Sequence, residues 1–327
     1  MNDKKIIITG AAGFIGSCLT AFLNRSGYNN LVIADDFSRT EKQANWKSKL
    51  FEQTIDRTDL PVWMNQNASE IGFVFHLGAR TDTTETDEDL FNRLNLNYTR
   101  TIWQICTEHR IPLVYASSAA TYGDGAFGYT DDEQLIPKLK PLNAYGRSKQ
   151  TFDLWALSQE KTPPFWAGLK FFNVFGPNEY HKGRMASVIF HSFNQIQRQG
   201  YVNLFKSHRP DYADGQQQRD FVYVMDVVNV CYWLYENRNT VQPGIYNLGS
   251  GKARSFMDLA LSVFAALNIE PDIRFIDTPV NIRSAYQYYS CATMDKLREA
   301  GCDHEFYSLE DGAKAYIQHF LTTSSRF

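Results

Sequence analysis

Tyr145 and Lys149 stand four residues apart in the stretch PLNAYGRSKQTFDLWALSQE. On a helix, positions i and i+4 share a face, so this spacing sets a phenol beside an ammonium. A nearby ammonium favours the phenolate and lowers a tyrosine's pKa, and a bound oxidised nicotinamide would add a second positive charge. A tyrosine tuned in this way can take a proton from an alcohol as its hydride departs. Such a pair is common by chance, and its weight comes from its company. Ser118, in YASSAATYG, follows an apolar run and can donate a hydrogen bond to a substrate oxygen.

Further upstream, GAAGFIG places Gly10, Gly13 and Gly16 between a β-branched run and a helical pattern. Gly10 permits the tight turn, Gly13 lets the backbone approach a pyrophosphate, and Gly16 lets helix and sheet pack closely. An anion would sit on the free N–H groups of the helix start, which brings Phe14 and Ile15 into the candidate cofactor site. Asp35 and Asp36 close the next apolar run, where an acid can bond the adenosine ribose hydroxyls. Two acids repel a 2′-phosphate and favour NAD. Arg39 and Lys42 follow closely and could reverse that preference, so NAD and NADP both stay open.

These residues need elements to hold them. KIIITG, NLVIADD, GFVFHLGA and PLVYASSAA are short apolar runs, and FIGSCLTAFLNRSG and NYTRTIWQICTEHR between them have helical spacing. Continuous apolar runs separated by helices predict a parallel sheet covered on both faces. Further runs lie in WAGLKFFNVFGP and GIYNLGSG. The polar region 177–220 breaks the alternation and reads as part of a second lobe, completed by the helix FMDLALSVFAAL and the strand IRFID. The expected division is residues 1–174 plus about 221–250 for the dinucleotide, and about 175–220 plus 251–327 for the substrate.

Hydrophobic residues make up 43% and charged residues 21% of the 327, as in ordinary soluble globular proteins. A formal net charge of −3 argues against nucleic acid or a bilayer as general partner. Five scattered cysteines without a C-x-x-C predict reduced thiols and neither a disulfide framework nor a structural metal. MNDKK runs directly into the first strand without a secretory leader, and no apolar run spans a membrane, so a cytoplasmic protein is expected.

The motifs GAAGFIG, SSAATYG and YGRSK resemble the extended branch of the short-chain dehydrogenase/reductase superfamily. Within it, YASSAATYG, KPLNAYGRSK, FFNVFGPNEYHKGRMAS and RDFVYVMDV are similar to the ADP-L-glycero-D-manno-heptose 6-epimerases over nearly the full length. The resemblance implies a Rossmann-type doubly wound sheet with a smaller, discontinuous substrate lobe. It also implies a tightly held NADP, an ADP-heptose substrate, a homo-oligomer, typically a pentamer, and a place in lipopolysaccharide core-precursor synthesis.

The resemblance further implies direct oxidation at C6, reorientation of the ketone and return of the hydride to the opposite face. Tyr145 serves one orientation and Lys182, in HKGRMAS, the other; the alternative for Lys182 is a cation on the diphosphate. Asn173, His191, Phe205, Arg219 and Tyr286 match positions around the substrate. Guanidinium forks fit phosphate oxygens, although Arg219 could instead form a surface salt bridge with the adjacent Asp220, and His191 could be a satisfied helix histidine. Leu77, Gly78, Ala79 and Asn97 match the cofactor side. Three departures, Arg184, Lys170 and the long loop 206–218, are expected to lie in the substrate lobe and to bear on which sugar nucleotide is used. A UDP-sugar 4-epimerase would share the triad without needing Lys182. A 4,6-dehydratase would need an Asp–Glu pair where Ala119 and Ala120 stand, and a non-catalytic dinucleotide sensor would not need Tyr145 or Lys149.

Overall fold

Seven β-branched and aromatic runs form one all-parallel sheet, with strand order β10-β6-β5-β4-β1-β2-β3. They are β1 (Lys5–Thr9), β2 (Leu31–Asp35), β3 (Gln53–Asp56), β4 (Ile71–His76), β5 (Leu113–Ser118), β6 (Trp166–Phe171) and β10 (Gly244–Leu248). This is a computed structural model, and it describes residues 4–283 and 286–327. Strands β2, β5, β6 and β10 are buried along their whole length. Helices on both faces account for that burial and for the absence of period-two alternation in the sequence. On one face, Trp103 of the helix Tyr98–Glu108 meets Trp166 of β6 at 5.0 Å, and Phe152 of the helix Ala144–Leu157 meets Tyr115 of β5 at 4.9 Å. On the other, Tyr235 of the helix Val224–Glu236 lies 5.1 Å from Phe73 of β4.

Strand order reverses at β1, whose neighbours are β2 and β4. In open parallel sheets, the crevice at the carboxyl ends beside such a reversal is where ligands bind. The glycine turn leaves β1 at this point, and Leu77–Gly78–Ala79 leaves β4.

The run WAGLKFFNVFGP does not form one strand. β6 ends at Phe171, Phe172 donates its N–H to Leu248, and β7 (Asn173–Phe175) joins a separate three-stranded sheet with β9 (Gln218–Tyr223) and β11 (Ala253–Ser255). Strands β8 (Val202–Phe205) and β12 (Ile273–Ile276) pair in parallel nearby. The helix Phe256–Leu267 starts with a reciprocal capping box between Ser255 and Asp258. Among the described residues no helix is long and apolar enough to cross a membrane.

Candidate active site

Gly10 adopts φ +70°, and a Cβ there would lie 2.7 Å from the backbone of Gly78. Turn and β4 loop therefore touch main chain to main chain. A Cβ at Gly16 would fall 2.2 Å from the Gly10 carbonyl oxygen, so Gly16 closes the turn on itself rather than packing helix to sheet. Gly13 offers no side-chain cap to the helix Phe14–Arg25. The first-turn N–H groups of Phe14 and Ile15 thus lack the side-chain partner that Asn143, Ser187, Ser255 and Ser308 give to the helices they cap. A cradle of bare donors at the dipole's positive end fits a pyrophosphate. Asp35 ends β2, buried, and accepts the Ala12 N–H at 3.0 Å and the Lys42 ammonium at 3.0 Å. Asp36 accepts the Ser38 N–H at 3.3 Å, and this turn together with Arg57 draws its pKa down.

Asn143 caps the helix Ala144–Leu157, which brings Tyr145 beside Ser118 at the end of β5. Burial raises the Tyr145 phenol's pKa and the Ser118 hydroxyl, through a hydrogen bond, lowers it; the net shift is upward. The expectation that Lys149 lowers it is not met here. Lys149 shares the helix face, but its ammonium is buried and donates to the Ala116 carbonyl at 2.7 Å. Burial brings the Lys149 pKa down to about 8.

A polar chain behind this pair ties the two sides of the crevice together. Thr9 at the end of β1 bonds Gly78 N–H at 3.1 Å and His76 Nδ1 at 2.7 Å, and His76 Nε2 meets Thr99 at 3.0 Å. Asn95 holds both backbone groups of Arg80, at 2.8 and 3.0 Å, and donates to Ser148 at 3.1 Å. Ser148 in turn donates to the Tyr145 carbonyl at 2.7 Å. The segment Asn92–Asn97 is a π-helical turn, a local widening that is frequent at functional sites. It turns Asn95 inward and leaves Asn97, the residue singled out by resemblance, exposed. The NLNYT repeat of asparagines was the only signal available for Asn95.

Lys182 lies in the turn Tyr180–Met185, with its ammonium over the Phe14 ring at 5.3 Å. Burial lowers its pKa and Glu179 opposes that. The buried Glu179 accepts from Ser187 Oγ at 2.6 Å and Gly176 N–H at 3.4 Å, which staples the segment. Asn45 joins it to the glycine turn, donating to Asn178 O at 3.0 Å and Ala12 O at 3.2 Å. Lys182 therefore stands above the start of the helix Phe14–Arg25, on an element separate from Tyr145. Arg184 is exposed and pairs with Asp82 at 3.1 Å.

In the second lobe Arg219 is buried, donates to Gln218 O at 2.8 Å and to Gln287 O, and lies 5.6 Å from both the Tyr286 and Phe256 rings. It does not pair with Asp220, whose carboxylate instead accepts N–H groups of Ser250, Gly251 and Ala292 at 2.7, 2.9 and 3.0 Å. Phe205 sits 6.5 Å from Tyr286. The loop 206–218 brings His208 to 5.9 Å from Tyr286, and its backbone N–H donates to the Tyr288 hydroxyl at 2.8 Å. Tyr288 and His208 thus belong to this aromatic wall, although neither carries a sequence motif. Asn173 is exposed at the start of β7, and His191 is half-buried on the helix Val188–Gln199.

Two expectations conflict over Lys170, which the boundary at 174 puts with the dinucleotide unit and its grouping with Arg184 and the loop 206–218 puts in the substrate lobe. It lies in β6 of the large sheet and not in the substrate lobe, fully buried and paired with the fully buried Asp153 at 2.8 Å.

A glycine turn at a sheet reversal, with half-buried Tyr145 beside buried Lys149 and Ser118 at the next strand ends, defines a nicotinamide-dependent enzyme. The chain belongs to the NAD dependent epimerase/dehydratase family, whose description matches residues 6–249. Among individual proteins it is similar to the ADP-L-glycero-D-manno-heptose-6-epimerase of Fusobacterium nucleatum subsp. nucleatum, 45% identical over 332 residues, covering 98% of this chain and 99% of that one. Among solved structures, the Helicobacter pylori ADP-L-glycero-D-manno-heptose-6-epimerase superposes with a TM-score of 0.80 at 26% identity, covering 97% of this chain and 96% of that one. A Methanobrevibacter ruminantium UDP-N-acetylglucosamine 4-epimerase superposes equally well, with a TM-score of 0.81 at 23% identity over 99% of this chain and 100% of that one. At that identity the likeness speaks for the fold alone.

Proposed function

We propose that the chain inverts C6 of ADP-D-glycero-D-manno-heptose by transient oxidation and re-reduction. The observation that carries this is the presence of two half-buried proton carriers on separate elements. Tyr145, on the helix Ala144–Leu157, stands beside Ser118 at the end of β5, and Lys182 stands over Phe14. A nicotinamide held on the glycine turn would supply the hydride acceptor and, later, the hydride donor. Ser118 holds the substrate oxygen, Tyr145 exchanges its proton in one orientation, and Lys182 exchanges it in the other. A raised phenol pKa keeps Tyr145 protonated until a cation arrives beside it. The relatives' shared name, carried at 45% identity over nearly the whole chain, supports the ADP-heptose substrate.

Under this reading the lobe holding β7, β8, β9, β11 and β12 binds the nucleotide sugar. Arg219 takes the diphosphate, Phe205 and Tyr286 the base, and Asn173 and His191 the remaining polar groups. Gly10, Gly13, Phe14, Ile15, Gly16, Leu77, Gly78 and Ala79 line the cofactor. Its adenosine ribose meets Asp35 and Asp36; a 2′-phosphate, and so NADP, would require Lys42 to leave Asp35. The family description and the two acids favour NAD. The proposal includes a cytoplasmic location, supported by five free thiols, and a homo-oligomer, both serving lipopolysaccharide core-precursor synthesis.

The test is incubation of pure holoenzyme with ADP-D-glycero-D-manno-heptose without added cofactor, following C6 inversion by NMR. Inversion without accumulation of reduced cofactor is expected. Turnover of UDP-sugars at C4 with an inert ADP-heptose would refute the proposal. Analysis of the released cofactor separates NAD from NADP.

A further inference from the structure

On the helix Ala144–Leu157, Tyr145, Lys149 and Asp153 follow at i, i+4 and i+8, one face throughout. Asp153 is therefore one turn from Lys149 and two from Tyr145, with no solvent contact. Its oxygens accept the Tyr115 hydroxyl at 3.0 Å, the Ser117 hydroxyl at 2.7 Å and the Lys170 ammonium at 2.8 Å. Lys170 also donates to Thr121 at 2.7 Å and lies 5.1 Å from the Tyr122 ring.

A buried ion pair is weak evidence for stability, because desolvating two charges offsets their attraction. Its position suggests another use. Strand β5 alternates between the two parts of the site. Tyr115 and Ser117 bond Asp153, the Ala116 carbonyl holds Lys149, and Ser118 meets Tyr145. We propose that Lys170 is a positioning residue, which neutralises Asp153 so that the Lys149 ammonium stays at the Ala116 carbonyl, available to Tyr145, rather than drawn down the helix.

Besides Asp153, the Asp131 carboxylate also feels the Lys170 charge, and Glu133 acts on Tyr115. His76 faces Lys149 from β4, and burial, with Lys149 itself, keeps it neutral with a pKa near 3. Burial and nearby carboxylates, Asp153 for Tyr115 and Asp131 for Tyr122, hold those two phenols protonated. Phe91 covers Tyr145 at 6.3 Å. Asp153 acts on both Tyr145 and Lys149 in the direction of holding their protons, and Lys170 is the only cation bonded to it among the described residues.

The inference rests on Tyr145 as the proton carrier. The test is the pH dependence of kcat for ADP-heptose C6 inversion, measured on wild-type holoenzyme, K170M, K170R and D153N, with Y145F as control. Eight helical residues rise ~12 Å. An unmasked charge at about that distance, in an effective dielectric of about 20, is worth about one pH unit on a phenol. K170M should move the acid limb up by about one unit, D153N should move it down, and K170R should restore the wild-type limb. A folded K170M with an unmoved limb overturns the proposal, as does an unmoved limb in D153N where K170M fails to fold. Unimpaired turnover by Y145F would instead remove the reading of Tyr145, whichever way the limbs of the other variants fall.

Discussion

Replacing Arg219 with methionine should weaken substrate binding strongly without weakening the fold. Arg219 is a buried cation whose hydrogen-bond acceptors are two backbone carbonyls, and the adjacent Asp220 is saturated by backbone N–H groups. Burial pushes the guanidinium pKa down, while the tyrosines around it, Tyr286 first, partly restore it. A charge desolvated without a counter-ion among the described residues costs several kcal/mol, and on the proposed reading an incoming diphosphate would recover part of that cost. Among the described residues two of the five guanidinium donors are engaged, which leaves three for phosphate oxygens. Losing one or two charge-assisted bonds, at about 1.5–3 kcal/mol each, gives about 3 kcal/mol. That corresponds to a rise in KM of about 100-fold, with kcat changed by only a few-fold because the diphosphate is remote from C6. Calorimetric titration of holoenzyme with ADP should show the same loss. The thermal midpoint should hold or rise, since methionine fills much of the space without a charge to bury. A KM near wild type with a fallen kcat, or a midpoint lowered by many degrees, would refute the reasoning.

Tyr145→Phe should cost about 10²- to 10⁴-fold in kcat with KM little changed, read by NMR on ADP-heptose; Lys182→Met should do the same, whereas a pure diphosphate ligand would raise KM alone. The Lys149 pKa, brought down to about 8 by burial, predicts that kcat falls as pH rises through that value and the ammonium is lost; Lys149→Arg should push this alkaline limb upward. His76 resists protonation, with a pKa pushed by burial to about 3, while the unfolded chain takes the proton near 6.5. Stability is therefore unaffected above about pH 6.5 and falls as pH drops from there towards 3; in His76→Asn the thermal midpoint should decline less between pH 7 and pH 4.

What the sequence made legible was local. The glycine turn, the strand–helix alternation and the Tyr145–Lys149 spacing are fixed by neighbours within a turn or two, so periodicity and residue type sufficed. The misreadings arise where the chain changes register or sheet. The π-helical turn at Asn92–Asn97 shifts the helical phase, which is why Asn95 faces the site and Asn97 faces out. The apolar run through Phe172 crosses from the large sheet to the small one, so Lys170 falls on the opposite side of that boundary from the one its neighbours suggested. Charge partners are harder still to read. Lys149 bonds a carbonyl 33 residues away, Lys170 meets a carboxylate 17 residues away, and Arg219 reaches Gln287 across 68. Spacing along a helix can place an ammonium near a phenol, but the field at that phenol is set by whichever strand passes beneath. Here β5 presents Ala116 to Lys149 and Ser117 to Asp153, so the proton affinity of Tyr145 follows from a pairing between β5, β6 and one helix that no single segment encodes.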